Sequence, residues 1–323
     1  MSREEVEKLR EIGQIAVVGA GLMGHGIALV FAQKDYSVTL YDINRPILER
    51  ALLQIRSNLE TFVEVGLETK ERVEKVLSKI RISVDLKEAV KGAHFVIEAA
   101  PEDLTLKMNL FEELDRYCSK ETILASNTST LPISEIGRKA KEKERLVITH
   151  WFNPPHIVPA VEVVRGEATS QETFDISFEL MKSIGKKPVK VLKEVPGFLI
   201  NRIQTAMSRE ILSLLEKGVA EPEDIDAAVK GSFGLRLAVL GPLSIMDMAG
   251  LDLLYKAMNY LYPFLDRSTE VQKVLGEKIE QGKWGLKTGK GFFEYEQKEA
   301  SALSRHSKER DKKLLSLLKT LSQ

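Results

Sequence analysis

At 323 residues the chain has room for two domains of ordinary size, each with a buried core. Charged residues make up 29% and apolar residues 43%, which excludes a disordered chain, and no apolar run reaches the roughly 18 residues of a membrane span. The 47 basic and 47 acidic side chains cancel, so the basic excess of a nucleic-acid binder is missing. Cys118 is the only cysteine, which excludes an intrachain disulfide framework and fits a reducing cytoplasm. The polar start, Met1-Ser2-Arg3-Glu4-Glu5, has no signal-peptide core, so a cytoplasmic location is expected.

The first half alternates strand-like and helix-like stretches. Residues 15–18 form a short apolar run, as a strand buried on both faces reads. A helical segment follows over 23–34, then a strand over 36–41. Pro46 opens a helix with Ile47, Leu48, Leu52 and Ile55 at helical spacing, continuing with a break near Gly66 to about residue 80. Further strands are expected at 80–84, 94–99, 122–125, 146–149, 161–164 and 189–192. Strands separated by helices imply an α/β fold with a doubly wound, mostly parallel sheet of Rossmann type. Beyond Glu194-Val195-Pro196-Gly197 the pattern turns helical, with Phe198, Ile203, Met207, Ile211, Leu214 and Leu215 on one stripe. Later helices are expected at about 222–230, 242–262 and 268–281. We place a dinucleotide-binding domain at 1–193 and an all-α domain at 194–323. Its tail helix carries Leu314, Leu317, Leu318 and Leu321.

Gly19-Ala20-Gly21-Leu22-Met23-Gly24 matches Gly-x-Gly-x-x-Gly between an apolar strand and a helix. Gly19 permits a tight turn, Gly21 leaves room for a pyrophosphate, and Gly24 lets the helix pack on the strand. The helix N-terminus offers free backbone N–H groups to the phosphates. Asp42 closes the second strand and suits both ribose hydroxyls of NAD, while it would repel the 2′-phosphate of NADP. Arg45 nearby softens that choice, and FAD proteins share the fingerprint.

Of five histidines, His94 and His306 read as structural or solvated and His25 as a surface or packing residue. His150 ends an apolar strand, at the edge where doubly wound sheets bind ligands. Twelve residues on, Glu162 lies inside the apolar run Val161-Glu162-Val163-Val164, where an acid is costly without a partner. Pairing the two would orient the imidazole as a base. The polar cluster Ser126-Asn127-Thr128-Ser129-Thr130 follows another strand. Ser129 is either part of a capped loop or a partner for a substrate hydroxyl, and Asn201 is open in the same way.

Over about residues 13–296 the chain resembles the L-3-hydroxyacyl-CoA dehydrogenase family. The resemblance rests on Gly19 to Gly24 with Asp42, Ile97-Glu98-Ala99-Ala100-Pro101-Glu102 with Lys107, and Ser126-Asn127-Thr128-Ser129. It continues through His150-Trp151-Phe152-Asn153-Pro154 with Glu162, Pro196-Gly197-Phe198-Leu199-Ile200-Asn201-Arg202, and Lys287-Thr288-Gly289-Lys290-Gly291-Phe292-Phe293. It implies that His150 is the base that takes the 3-hydroxyl proton as hydride passes to NAD, and that Glu162 orients it. Ser129 and Asn201 hold the substrate oxygen. Glu102, Lys107, Asn153 and Lys287 join Gly19, Gly21, Leu22, Met23, Gly24 and Asp42 around the cofactor. No metal is implied.

Two departures bear on the substrate. By spacing, the family's CoA-contacting positions on the helical hairpin correspond to Asn58 and Val65, and Val65 cannot bind phosphate. The loop Asn153-Pro154-Pro155-His156-Ile157-Val158-Pro159 is similar to relatives acting on free hydroxy acids, such as gulonate 3-dehydrogenase of the lambda-crystallin group or carnitine dehydrogenase. The expected activity is reversible oxidation of a short-chain 3-hydroxyacyl-CoA. A free 3-hydroxy acid, or a redox-silent crystallin-like binding role, are the alternatives. A small-molecule substrate and a homodimer are the expected partners, with neither nucleic acid nor membrane.

Overall fold

The computed structural model describes the backbone of residues 3–295 and 300–321, and the side chains of residues 5–295 and 306–321. The chain divides into two compact units. One runs to Arg202 and includes Asp311–Ser316, and the other covers Ile203–Arg310 and the chain from Leu317.

The first unit is built on one eight-stranded sheet: β1 (Gln14–Val18), β2 (Ser37–Tyr41), β3 (Ile80–Ser83), β4 (Phe95–Glu98), β5 (Ile123–Ser126), β6 (Leu146–Trp151), β7 (Ala160–Val164) and β8 (Lys187–Val191). Its order is β3-β2-β1-β4-β5-β6-β7-β8. Every pair is parallel except β6 with β7, which turn back on each other through the short 152–159 connection. The order reverses between β1 and β4, so the crevice beyond their carboxyl ends is the switch point where such sheets take ligands.

Helices cover both faces: α1 (Arg3–Glu11), α2 (Gly24–Gln33), α3 (Arg45–Glu64), α4 (Lys70–Ser78), α5 (Leu86–Val90), α6 (Leu104–Tyr117), α7 (Ile133–Ile136) and α8 (Gln171–Ser183). Side-chain alternation along the strands makes two cores. Ile15, Val17, Val147, Trp151, Val161 and Val163 pack with α2, α3 and α8 on one face. Ala16, Val18, Leu146, Ile148 and Val164 pack with α5, α6 and α7 on the other. α2 is buried along nearly its whole length, which explains its apolar, weakly amphipathic sequence Gly-His-Gly-Ile-Ala-Leu-Val-Phe-Ala-Gln.

In the second unit, α9 (Ile200–Glu216) starts in the first unit's last residues and carries the chain across the division. The helices Pro222–Val229, Pro242–Ala249, Leu251–Leu261 and Lys273–Glu280 follow. The expected single helix over 242–262 is two, because the backbone at Gly250 leaves the helical region. Phe198, expected on the helical stripe, precedes the helix. In the tail helix, Ala300–Leu321, Leu314 and Leu318 of the expected stripe are half-buried beside the buried Asp311 and Leu315, while Leu317 and Leu321 stay exposed. Lys312 of this helix pairs with Glu64 at 2.6 Å. Among the described residues no single helix is long and apolar enough to cross a membrane.

The three fingerprint glycines meet different constraints. A Cβ on Gly24 would stand 1.7 Å from the Gly19 carbonyl oxygen, and one on Gly19 would meet Ala99 O at 2.6 Å with φ at +107°. A Cβ on Gly21 would meet nothing within 4 Å. Gly24→Ala is therefore expected to cost about 1–3 kcal/mol in a urea melt from overpacking. Gly21→Ala should leave the melt within about 0.5 kcal/mol. Equal losses in the two variants would contradict the division.

Candidate active site

The β6–β7 register sets His150 directly opposite Glu162. Both sit on the face shared with Ile148 and Val164, and both are buried. β6 runs on to Trp151, so His150 lies inside the strand rather than at its last residue. A carboxylate can only accept, so His150 Nδ1–H donates to Glu162 Oε2, at 2.7 Å. Nε2 is left without a hydrogen-bond partner among the described residues. Phe152 and Phe198 flank the imidazole with ring centroids 4.5 and 5.7 Å away.

The other oxygen of Glu162 faces the start of α9. Leu199 N and Ile200 N donate to Oε1 at 2.9 and 2.8 Å. The turn that aims them has Gly197 at φ +76° and Phe198 at +50°, a conformation costly for a bulky residue and held here by burial of the ring. One residue further, Asn201 Nδ2 donates to Ser129 O at 3.1 Å. The structure thus links His150, Glu162, Asn201 and Ser129 through contiguous contacts. The Ser129 hydroxyl has no hydrogen-bond partner among the described residues.

Glu102 organises the loop that carries Ser129. Its Oε1 accepts from Thr128 Oγ1 at 2.6 Å, Ser129 N at 3.0 Å and Thr130 N at 3.2 Å. Half-burial opposes its ionisation, but Thr128, the Lys107 charge and the Ser129 amide hold its carboxyl below the usual range. Asn127 Oδ1 accepts from Trp151 N at 2.9 Å, which ties the same loop to the end of β6.

Glu98, named in the family motif but not expected as a site residue, is fully buried. Lys107 Nζ donates to its Oε1 at 2.5 Å and Ser126 Oγ to its Oε2 at 2.5 Å. Burial pushes its carboxyl up, and Lys107, Ser126 and the Ala100 amide oppose that. Lys107 is itself only 1% exposed and also donates to Ala100 O at 3.2 Å. Its ammonium is thus occupied by protein groups that shape the turn after β4.

The glycine loop lies across the switch point from that turn. Asp42 Oδ2 accepts from Ala20 N and Oδ1 from Asn44 N, both at 3.0 Å, which fixes the carboxylate at the loop and leaves each oxygen a further lone pair. Leu22 is exposed beside it. His25 is a packing residue, its ring hydrogen-bonded to Gly21 O at 2.9 Å. With Gly21 open to the outside and amides at the start of α2, these residues fit a dinucleotide. Asn153 is exposed in the loop after β6, while Lys287 is exposed in the second unit, in the turn bridged by Gly285 and Lys290. His94 accepts from Gln14 N at 3.2 Å, a structural contact at the opposite edge of the sheet.

Residues 14–195 match the NAD binding domain of 3-hydroxyacyl-CoA dehydrogenase, and 197–295 match its C-terminal domain. A probable 3-hydroxybutyryl-CoA dehydrogenase of Bacillus subtilis is 39% identical, over 89% of this chain and 99% of that protein. A 5-formyl-3-hydroxy-2-methylpyridine 4-carboxylate 5-dehydrogenase of Mesorhizobium japonicum is 36% identical over 96% of this chain and 98% of that one. A solved structure of an enzyme of that name, described as an NAD+ dependent dismutase, superposes with a TM-score of 0.89, covering 96% of this chain and 99% of that one at 35% identity. For the (S)-3-hydroxybutyryl-CoA dehydrogenase of Ralstonia eutropha the TM-score is 0.74 at 33% identity, over 89% of this chain and all of that one. With a Rossmann-type NAD domain and a helical C-terminal domain both matched, the chain belongs to the 3-hydroxyacyl-CoA dehydrogenase family of NAD-dependent oxidoreductases.

Proposed function

We propose that this enzyme oxidises the 3-hydroxyl of a short-chain L-3-hydroxyacyl-CoA to the ketone, reversibly, with NAD. The observation that carries the reading is the buried His150–Glu162 pair with Nε2 uncommitted. Bound NAD supplies the acceptor for the hydride that leaves the hydroxyl-bearing carbon. The amides of the Gly19–Gly24 turn would hold its pyrophosphate and Asp42 its ribose.

His150 Nε2 takes the hydroxyl proton. The positive charge that arises on the ring is met by Glu162 through the Nδ1 hydrogen bond. Glu162 cannot swing away, because two amides hold its other oxygen. The Ser129 hydroxyl and Asn201, which keeps a second N–H, fix the substrate oxygen next to the base. A short-chain thioester places the enzyme in fatty-acid metabolism, in the cytoplasm that its single cysteine suits.

A free carboxylate substrate is the second reading, and two observations favour it. Asn58 is buried and Val65 is apolar where CoA contacts were expected by spacing. The full-length likeness to the pyridine-carboxylate enzyme adds weight. A homodimer through the second unit also belongs to the proposal. Its helices Pro222–Val229, Pro242–Ala249, Leu251–Leu261 and Lys273–Glu280 bury no residue within the single chain. Leu243, Met248 and Tyr255 are each more than 70% exposed.

NADH formation should be measured in parallel on 3-hydroxybutyryl-CoA, free 3-hydroxybutyrate, L-gulonate, L-carnitine and 5-formyl-3-hydroxy-2-methylpyridine 4-carboxylate. The thioester is expected to lead, and turnover of a free acid with none on the thioester would overturn the first reading. His150→Ala and Glu162→Gln should each lower kcat by about 10²–10⁴-fold. Gly21→Ala should weaken NADH binding in a fluorescence titration without unfolding the protein. Light scattering at low concentration should give twice the chain mass, and a strict monomer would refute the dimer.

A further inference from the structure

Lys186, just before β8, is buried to 8% exposure, yet none of the site groups above touches it. Among the described residues its ammonium has no carboxylate partner. Nζ donates to Pro155 O at 2.5 Å and Val158 O at 2.9 Å, and stands 5.1 Å from the centre of the Trp151 ring. A desolvated ammonium without a counter-charge is expensive and is kept only where its donors matter.

Both acceptors lie in the 152–159 loop, which joins the strand of His150 to the strand of Glu162. Prolines at 154, 155 and 159 remove three of the loop's own donors. Ile157 N and Val158 N both turn to Pro154 O, which leaves Pro155 O and Val158 O to Lys186. The same loop rests on the cofactor helix. A Cβ on Gly26 would stand 2.6 Å from Pro155 Cγ, so the Pro155 ring packs directly on the α2 backbone at Gly26.

We propose that Lys186 is a positioning residue for this loop: its ammonium fixes the Pro155 and Val158 carbonyls, and so seats Pro155 on α2 and holds Asn153 at the cofactor. A charged donor makes these bonds about twice as strong as a neutral one, and the Trp151 face stabilises the charge. Burial alone lowers the ammonium to about 7. The chargeable groups on the elements around it include His156, paired with Asp311 at 4.0 Å, His25 on α2 with its ring 6.4 Å from that of His156, Glu172, Asp175, Glu179 and Lys182 on α8, and Lys187 and Lys190 on β8; burial, not one of these charges, is the cause of the shift. The effect on turnover rests on the function proposed above, whereas the effect on cofactor binding does not.

The test compares wild type, Lys186→Met and Lys186→Arg by NADH fluorescence titration and by turnover of whichever substrate of the panel is active. Lys186→Met should keep its far-UV circular dichroism and a cooperative melt, bind NADH at least fivefold more weakly and lose at least tenfold in kcat. Lys186→Arg, with donors and charge retained, should recover NADH affinity to within twofold. Kinetics and affinity of Lys186→Met equal to wild type, or Lys186→Arg as impaired as Lys186→Met, would overturn the proposal. If no substrate is turned over, the function reading fails while the titrations still judge Lys186. If Lys186→Met does not fold, the pH dependence of NADH affinity decides. Wild-type affinity should weaken at least threefold from pH 6 to 9 as the ammonium loses its proton, and the Arg variant should not follow. Identical pH dependence in the two would overturn the proposal.

Discussion

Glu162 is the constraint on which the rest of the site depends. It is a fully buried carboxylate in a strand of valines, and each oxygen has a separate task. One oxygen receives the His150 proton donor, and the other receives two amides that open α9. A single side chain therefore fixes the base's tautomer, the turn at Leu199 and Ile200, and with it the place of Asn201. Removing one partner of such a buried pair typically costs about 3–5 kcal/mol, because the other is stranded. Position and function are held by the same bonds.

The surrounding loops follow the same rule. Glu98 and Lys107 neutralise each other below the turn after β4, and Ser126 closes the set. Glu102 gathers the amides of the next turn, and Asn127 binds it to the backbone of Trp151. Buried polar networks of this kind are rigid when every member is satisfied. They present Ser129 and His150 from loops and strand ends without leaving those groups to drift.

Much of this was legible in the residues. All eight strands are expected from the sequence, β1 and β4–β7 as short, mainly apolar runs and β2, β3 and β8 as mixed ones, and the glycine turn with Asp42 announces the switch point. The acid in Val161-Glu162-Val163-Val164 betrayed a partner by its cost. The same argument applies to Glu98, which closes the apolar run Phe95–Glu98, and would have exposed the Lys107 pair. An apolar run reads alike in a parallel or an antiparallel strand, so the reversal at β7 is legible only in its connection, which is too short and proline-rich for a crossover helix. Phe198 reads as the start of a helical stripe because positive φ has no apolar signature. Lys186 sits among other lysines, and charge alone does not tell a solvated lysine from one folded inward under a proline-rich loop.

The reversal at β7 also sets which changes of length the site can absorb. Side chains on a strand alternate between faces, so one residue added or lost within residues 160–162 would turn the carboxylate towards α2 and bring a valine against the imidazole. The loop over 152–159 carries no such parity, because both strands keep their pairing whatever the path between them. Changes of length are therefore absorbed in the 152–159 connection and not within the strand that follows it.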